Sequence, residues 1–340
     1  MSFKKFDNED VVVSADAVSS TVWSTGTHEL TTFFTSSTQE AATSGDYYLQ
    51  VYQADTSTAN AAIQYSIAYG NASGFGSAIY NNAVAGKSPS STIFGQYRSL
   101  VLGDEEQDFL FGTQTSTDGI FVISVDRARY KEKFLTGTFN IELNDGSNTL
   151  HLTDNSGMAS TVTYNDAGRV YDIISGSNGV SHDLGTGYTT GTYVASYGKF
   201  LPDVGLVILN AKALRNSTPD LTFDLDTTAS LESNNGHNNA ELHKLIKAGG
   251  SFKLNSEETI SSNYVFVRVR NGEFNYSSNP SNITGSGELR HNAMVNNPQA
   301  FITSVGLYND NNDLLGVAKL SKPLLKDFTK EALIRIKLDY

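Results

Sequence analysis

A mainly β fold, made of β-sandwich-like sheets with a few short helices, is predicted by three observations on this 340-residue chain. Segments such as Tyr264-Val265-Phe266-Val267-Arg268-Val269-Arg270 alternate with the period of two that a half-buried strand requires. β-Branched and aromatic residues, with 17 Tyr and 18 Phe, supply side chains that fit a pleated surface. Clusters of Gly, Asn, Asp and Ser punctuate these segments as turns do. The pattern divides into an extended N-terminal arm over 1–20 and a β-rich domain over 21–215 with a helix near 92–102. A polar connection with a short helix follows over 216–250, then a C-terminal β-rich domain over 251–340.

Taken in order, Val11-Val12-Val13 follows an acidic patch and has no hairpin partner nearby. The arm therefore lies either on a neighbouring subunit or at the edge of its own domain. Thr27 to Thr43 predicts a weak helix around Leu30, Phe33 and Phe34, low in propensity because it is rich in Thr. Tyr47 to Tyr52 and Ala62 to Tyr69 are strand-like. Thr92 to Leu102 is the clearest helix: Ile93, Phe94, Tyr97, Leu100 and Val101 share a face, Ser90 or Ser91 can cap it, and Gly103 can end it. Ile120 to Val125 is a buried strand. Thr138 to Leu143 turns through Asn144-Asp145-Gly146-Ser147 into Thr149 to Leu152 as a hairpin. Strands are expected at 160–164, 170–175, 193–196 and 206–210.

The chain is then polar from Leu225 to Asn239. Asn238 or Asn239 caps a helix from Ala240 to Lys247 that stops at Gly249-Gly250. Tyr264 to Arg270 is a strand, ended by the turn signal Asn271-Gly272. Ser277 to Gly287 is a polar loop suited to projecting from a scaffold. Ile302, Ser304 and Leu307-Tyr308 lead into the turn Asn309 to Asp313, and Leu314 to Ala318 returns as a hairpin. Pro323 punctuates the chain before a closing strand from Ala332 to Leu338, so the C-terminus is expected to be packed. No internal repeat of fixed period is present, which excludes solenoids and most fibrous β-helical spikes.

Composition narrows the function classes. A net charge of -12 argues against a general nucleic-acid or anionic-membrane binder, because phosphate contacts need clustered Lys and Arg. The chain has no cysteine, which excludes disulfides, thiolate metal sites and cysteine nucleophiles. No apolar run reaches the roughly 18 residues of a membrane helix, and Met1 to Asp10 lacks the apolar segment of a secretion signal. Four Asn-x-Ser/Thr sequons, at Asn71, Asn216, Asn275 and Asn282, are expected by chance in so Asn-, Ser- and Thr-rich a chain.

Catalytic constellations are thin. His182-Asp183 has triad residue types but no nucleophile elbow accompanies it. His237 and His243 lack a third metal ligand, while His28, His151 and His291 stand alone. Asn309 to Asp313 has acidic turn chemistry without the glycine and distal glutamate of a calcium loop. Gly74-Phe75-Gly76 lacks the third glycine of a phosphate-binding loop. Asp104-Glu105-Glu106 with Asp108 is an acidic run that can pair with Arg127, Arg129, Lys131 and Lys133 in the same or another subunit, a solvated run being the ordinary alternative. With 36 acidic residues a glycosidase pair can always be imagined, but no pair stands out. The sequence thus predicts no enzyme and no cofactor.

One resemblance gives direction. Ile302-Thr303-Ser304-Val305-Gly306-Leu307-Tyr308-Asn309-Asp310, followed by Leu314-Leu315-Gly316-Val317-Ala318-Lys319-Leu320, resembles a segment of tail-fibre and baseplate proteins of tailed bacteriophages. Ile93 to Leu102, Val125 to Glu132 and Glu273 to Pro280 are similar to structural proteins of contractile-tailed phages of marine cyanobacteria. The resemblance implies a virion structural protein at the baseplate or a fibre attachment point, present in symmetric copies and bound to other baseplate, tail or fibre subunits. It would be made in the host cytoplasm and act in the virion. A head, neck or capsid-decorating protein is the alternative within that class. A host-receptor or carbohydrate-binding module is the alternative outside it, with the tyrosines and Trp23 as stacking faces. Candidate partner-binding residues are Phe3 and Phe6 in the arm, and Phe274, Asn275, Tyr276 and Pro280 after Asn271-Gly272.

Overall fold

The computed structural model describes residues 8–21, 28–35, 48–76, 88–111, 117–130, 132–159, 161–181, 189–190, 193–194, 196–215, 217, 221–222, 225 and 237–339. The first strands are β1 (Val11–Thr21), β2 (His28–Leu30), β3 (Phe34–Thr35), β4 (Tyr48–Tyr52), β5 (Ile63–Asn71), β6 (Gly119–Val125) and β7 (Lys133–Phe134). There follow β8 (Asn140–Asn144), β9 (Thr149–Asp154), β10 (Thr163–Asn165), β11 (Gly168–Ser177), β12 (Val180–Ser181), β13 (Thr189–Thr190), β14 (Tyr193–Val194), β15 (Gly198–Leu201) and β16 (Leu206–Asn210). The last are β17 (Phe252–Leu254), β18 (Ser256–Val269), β19 (Gln299–Tyr308), β20 (Leu314–Asp327) and β21 (Ala332–Asp339). The helices are α1 (Pro89–Leu102), α2 (Ala211–Arg215), α3 (His237–Gly249) and α4 (Asn292–Asn296). The fold is mainly β with few short helices, as the alternation predicts. Two compact units form: Met1–Ser19 with Thr259–Tyr340, and Ser20–Glu258.

In the larger unit one antiparallel sheet runs in the order β2-β17-β8-β9-β11-β15-β16-β6-β5-β4-β3, with β10 and β12 added on β11. Its two ends, β2 and β3, are joined in the chain only through Thr31, Thr32 and Phe33. Leu30 pairs with Phe252 of β17, and Phe34 pairs with Tyr52 of β4. So short a link draws the ends together and curls the sheet around a core. Rings cross that interior: Tyr65 meets Phe33 and Phe252, and Phe139 meets both Phe252 and Phe200. Leu242, Leu245 and Ile246 of α3 complete this cluster.

The continuous apolar runs have a physical cause. In β6, Phe121, Ile123 and Val125 enter the inner cluster, while Ile120 and Val122 enter a second cluster on the other face. In β16, Val207 and Leu209 face inward and Leu206 and Ile208 outward. Strands buried on both faces cannot alternate in polarity. The second cluster is covered by α1, whose Ile93, Phe94, Tyr97 and Val101 are buried. Leu100, expected on that face, is exposed. Gly103 ends α1 in the left-handed conformation at φ 68°. Its N-cap is Ser88, earlier than either expected residue; the Ser88 hydroxyl donates to the Gly74 carbonyl at 2.6 Å and accepts no side-chain cap bond from the helix.

The weak helix expected around Leu30, Phe33 and Phe34 is replaced by β2 and β3. Leu30 and Phe33 are buried in the curled core, and ladder pairing outweighs a helix propensity that Thr already lowers. α3 begins at His237, ahead of the expected caps. Gly250, at φ 74°, closes it, donating its N–H to the Ile246 carbonyl at 3.0 Å.

In the smaller unit β18 lies between β1 and β21, so β1 lies in a sheet of its own unit. The Asp10 carboxylate, just before β1, meets the Arg270 guanidinium at 2.7 Å. The hairpin β19–β20 forms as expected, but β20 runs on through Pro323 to Asp327. A register irregularity between Ile302 and Ser304 absorbs residues 320–323, and a proline is tolerated at such a bulge because no ladder bond is asked of it.

Candidate functional site

Antiparallel register places Val265, Val267 and Val269 of β18 opposite Ile336, Ile334 and Ala332 of β21. Ile302, Val305 and Leu307 of β19, with Ala318 and Leu324 of β20, pack on that face to form the core of the smaller unit. Period-two geometry sends the intervening hairpin residues outward. Phe301, Tyr308 and Val317 are therefore exposed, and the register irregularity at Leu307/Tyr308 exposes both Leu314 and Leu315 at the hairpin end; Leu315 is exposed by 70% and Phe301 and Val317 by 64% each. Tyr308 lies over Gly306, where a Cβ would come within 2.8 Å of the Tyr308 ring. The turn beyond satisfies itself: the Asn309 side-chain oxygen accepts from the backbone N–H groups of Asn311 and Asp313, and Asn312 takes φ 64°.

A buried lysine supports the loop after β18. Lys326 is 0% exposed, and its Nζ donates to the Asn271 carbonyl at 3.0 Å, the Asn275 Oδ1 at 2.7 Å and the Asp327 carbonyl at 2.8 Å. Burial lowers its pKa, opposed by the charges of Asp327 and Glu331. Asn275, half-buried, is thus an anchor that also donates to the Asn271 carbonyl at 2.8 Å. With the turn fixed there, Phe274 sits at φ 52° and is exposed, as are Tyr276 and Pro280. Asn282, buried, donates to the Ser277 carbonyl at 2.7 Å and folds the polar loop on itself. Of the predicted partner-binding residues, Phe274, Asn275 and Tyr276 share one clamped turn and Pro280 follows in the next loop. Phe3 and Phe6, and also Trp23, His182 and Asp183, lie outside the described residues.

The outer face of the other layer is cationic and aromatic. Arg335 stacks over Tyr264 at 5.6 Å, and Arg268 pairs with Glu331 at 2.8 Å beside exposed Leu333.

Charges in the larger unit are spent on structure. Arg169 donates to Asp203 at 2.7 Å and lies 3.3 Å from Glu257, which Lys133 approaches at 3.7 Å. Burial of Asp203 would raise its pKa, but the bonds and charge of Arg169 hold it below the usual value. Asp154, buried, accepts from the Gly137 and Ser156 backbone N–H groups, and its pKa is raised by burial. Arg127 stacks on Tyr130, Arg129 bonds Gln53 and the Ile63 carbonyl, and Lys133 is held by Glu257. Each of these three cations expected to meet the acidic run at 104–108 thus has another partner. His243 is buried on α3 and pushed down to about 4 by burial first and by Lys247 second. Among the described residues no group of three His, Cys, Asp or Glu is arranged to hold a metal, and no helix is long and apolar enough to cross a membrane.

The outer apolar row of the hairpin and the Lys326 clamp escaped sequence reasoning. The signal was present: apolar residues at adjacent positions, as in Phe301-Ile302, give a strand two apolar faces where solvent permits one. Comparison with protein-family models, curated proteins and solved structures finds no match.

Proposed function

We propose that this protein is a non-enzymatic structural component of a tailed-phage virion, placed at the baseplate or a fibre attachment point and acting through protein–protein assembly. The observation that carries the reading is the exposed apolar row Phe301, Tyr308, Leu314, Leu315 and Val317 on the outer face of β19–β20. Four of its five residues, Tyr308, Leu314, Leu315 and Val317, fall in the segment 302–320 that resembles tail-fibre and baseplate proteins, and Phe301 directly precedes it. An apolar surface on a hairpin backed by its own core is a feature of interaction sites. The anionic composition keeps such a surface soluble until its partner is met. Rigid backing favours recognition by shape, because little ordering remains to be done on contact.

The reading is tested with antibodies to the protein and gold labelling of purified phage particles. Label at the tail end supports it. Label on the capsid or neck moves the protein to the alternative location, and absence from particles overturns the assignment. Reproducible glycan-array binding, lost on mutation of one aromatic face, would replace the scaffold role with host recognition.

A further inference from the structure

We infer that the outer face of the β19–β20 hairpin pairs with the same face of a second copy of this chain, antiparallel, about a twofold axis near Val317. The inference deepens the assembly reading by naming one partner, and rests on that reading in treating this face as a protein interface.

Two features select a second copy. The first is the distribution of charge along the hairpin. Asp310 and Asp313 are exposed at its tip, while Lys319 and Lys322 are exposed toward its base. At strand spacing Asp313 lies about 14 Å from Val317 in one direction and Lys319 about 7 Å from it in the other, with Lys322 next along in the irregular stretch 320–323. A twofold axis at Val317 therefore sets the acidic tip of each copy over the basic stretch of the other. A parallel arrangement would set tip against tip and lysine against lysine, a like-charge juxtaposition that disfavours it. The row is self-complementary in one orientation, as an isologous interface requires.

The second feature is area. Phe301, Tyr308, Leu314, Leu315 and Val317, with the exposures given above, present on the order of 500 Å² of apolar surface per copy. Two copies together bury at most about 1,000 Å², the lower bound of a specific interface and the size of a weak, concentration-dependent one. Val317 is directly opposite Gly306, and the Tyr308 ring lies over that glycine, so Val317 and Tyr308 form one apolar surface at the middle of the row for the second copy to meet.

The test uses sedimentation velocity of the full chain over a concentration series, with single-cysteine variants in this cysteine-free protein. The expected result is a concentration-dependent dimer whose midpoint rises by more than about tenfold in Val317→Asp. Circular dichroism should be unchanged, since the residue is exposed. Under mild oxidation Val317→Cys should form a disulfide-linked dimer much faster than Leu333→Cys, placed on the outer face of the other layer. A wild-type chain that stays monomeric at its highest soluble concentration overturns the inference. So does a dimer unaffected by Val317→Asp, or equal crosslinking at the two cysteines. Gold labelling at the tail by a protein that is monomeric in solution removes the self-pairing and leaves the assembly reading standing. A hairpin dimer absent from particles does the reverse.

Discussion

Tyr65 on β5 and Phe252 on β17 meet edge to face with ring centroids 5.3 Å apart, although six strands lie between β5 and β17 in the sheet order. Such a contact requires the sheet to curl back on itself. The Thr31–Phe33 link between β2 and β3 holds that curl in the chain, and the Thr32 hydroxyl reinforces it by donating to the Gln53 carbonyl at 2.6 Å.

The Tyr65 hydroxyl is buried without a hydrogen-bond partner, and burial raises its pKa well above the ordinary value. Tyr65→Phe is therefore expected to be neutral or to stabilise the fold by about 1 kcal/mol. Phe252→Ala should cost about 3–5 kcal/mol through the cavity it leaves. Urea unfolding measures both; a loss above about 1 kcal/mol in Tyr65→Phe would contradict the packing described.

Gly70 lets α1 lie against β5. A Cβ there would stand 2.9 Å from the Phe94 backbone nitrogen and 3.1 Å from its Cα, and backbone cannot step aside as a side chain can. Gly70→Ala should cost about 1–3 kcal/mol. Unchanged thermal stability would mean that the helix sits farther out.

The buried His243 predicts a stability slope in acid. Above its ordinary value of 6.5 the imidazole is neutral in both folded and unfolded chains, and no penalty arises. As the pH falls from 6.5 to about 4 the unfolded chain takes up a proton that the fold refuses. Stability then drops by about 1.4 kcal/mol per pH unit, about 3 kcal/mol in all. Comparing urea midpoints near pH 7 and near pH 4.5, His243→Leu should lose distinctly less than the wild type. Parallel losses would show that the histidine titrates normally.

Lys326→Met removes three donated hydrogen bonds at once and leaves the Asn271 and Asp327 carbonyls and the Asn275 side-chain oxygen without that donor. The variant should lose about 2–3 kcal/mol. Its amides at 271–276 should exchange faster in hydrogen–deuterium experiments while those of β5 and β6 do not. Equal protection at 271–276 in both proteins would mean the clamp does not hold the turn.

The sequence announces elements whose environment is simple. The strictly alternating 264–270 has one wet face and one dry one, and it emerges as the end of β18. Ile120 to Val125 is dry on both faces, and its unbroken apolar run reports that directly. The α1 face is legible because four of its five expected residues are buried against one sheet. Leu30, Phe33 and Phe34 mislead because their spacing fits a helix, while their partners Phe252 and Tyr52 lie 222 and 18 residues away in the chain. Nothing local encodes a ring closure. The surface was half legible: Phe274 and Tyr276 are exposed as a polar-loop reading implies. Asn275, by contrast, reveals its anchoring role only when Lys326, 51 residues downstream, is brought beneath it. The outer row of the hairpin was hidden because apolar residues in a strand are read as core until a register assigns them to a face.

The central claim is that the chain is a virion component that assembles through the 299–320 face. A cryo-electron reconstruction of the whole particle, with this chain traced and its neighbours identified, tests it most directly. The account predicts the chain at the tail end, with Phe301, Leu315 and Val317 covered by a neighbouring subunit. A particle lacking the chain, or one in which that row faces open solvent, would contradict it.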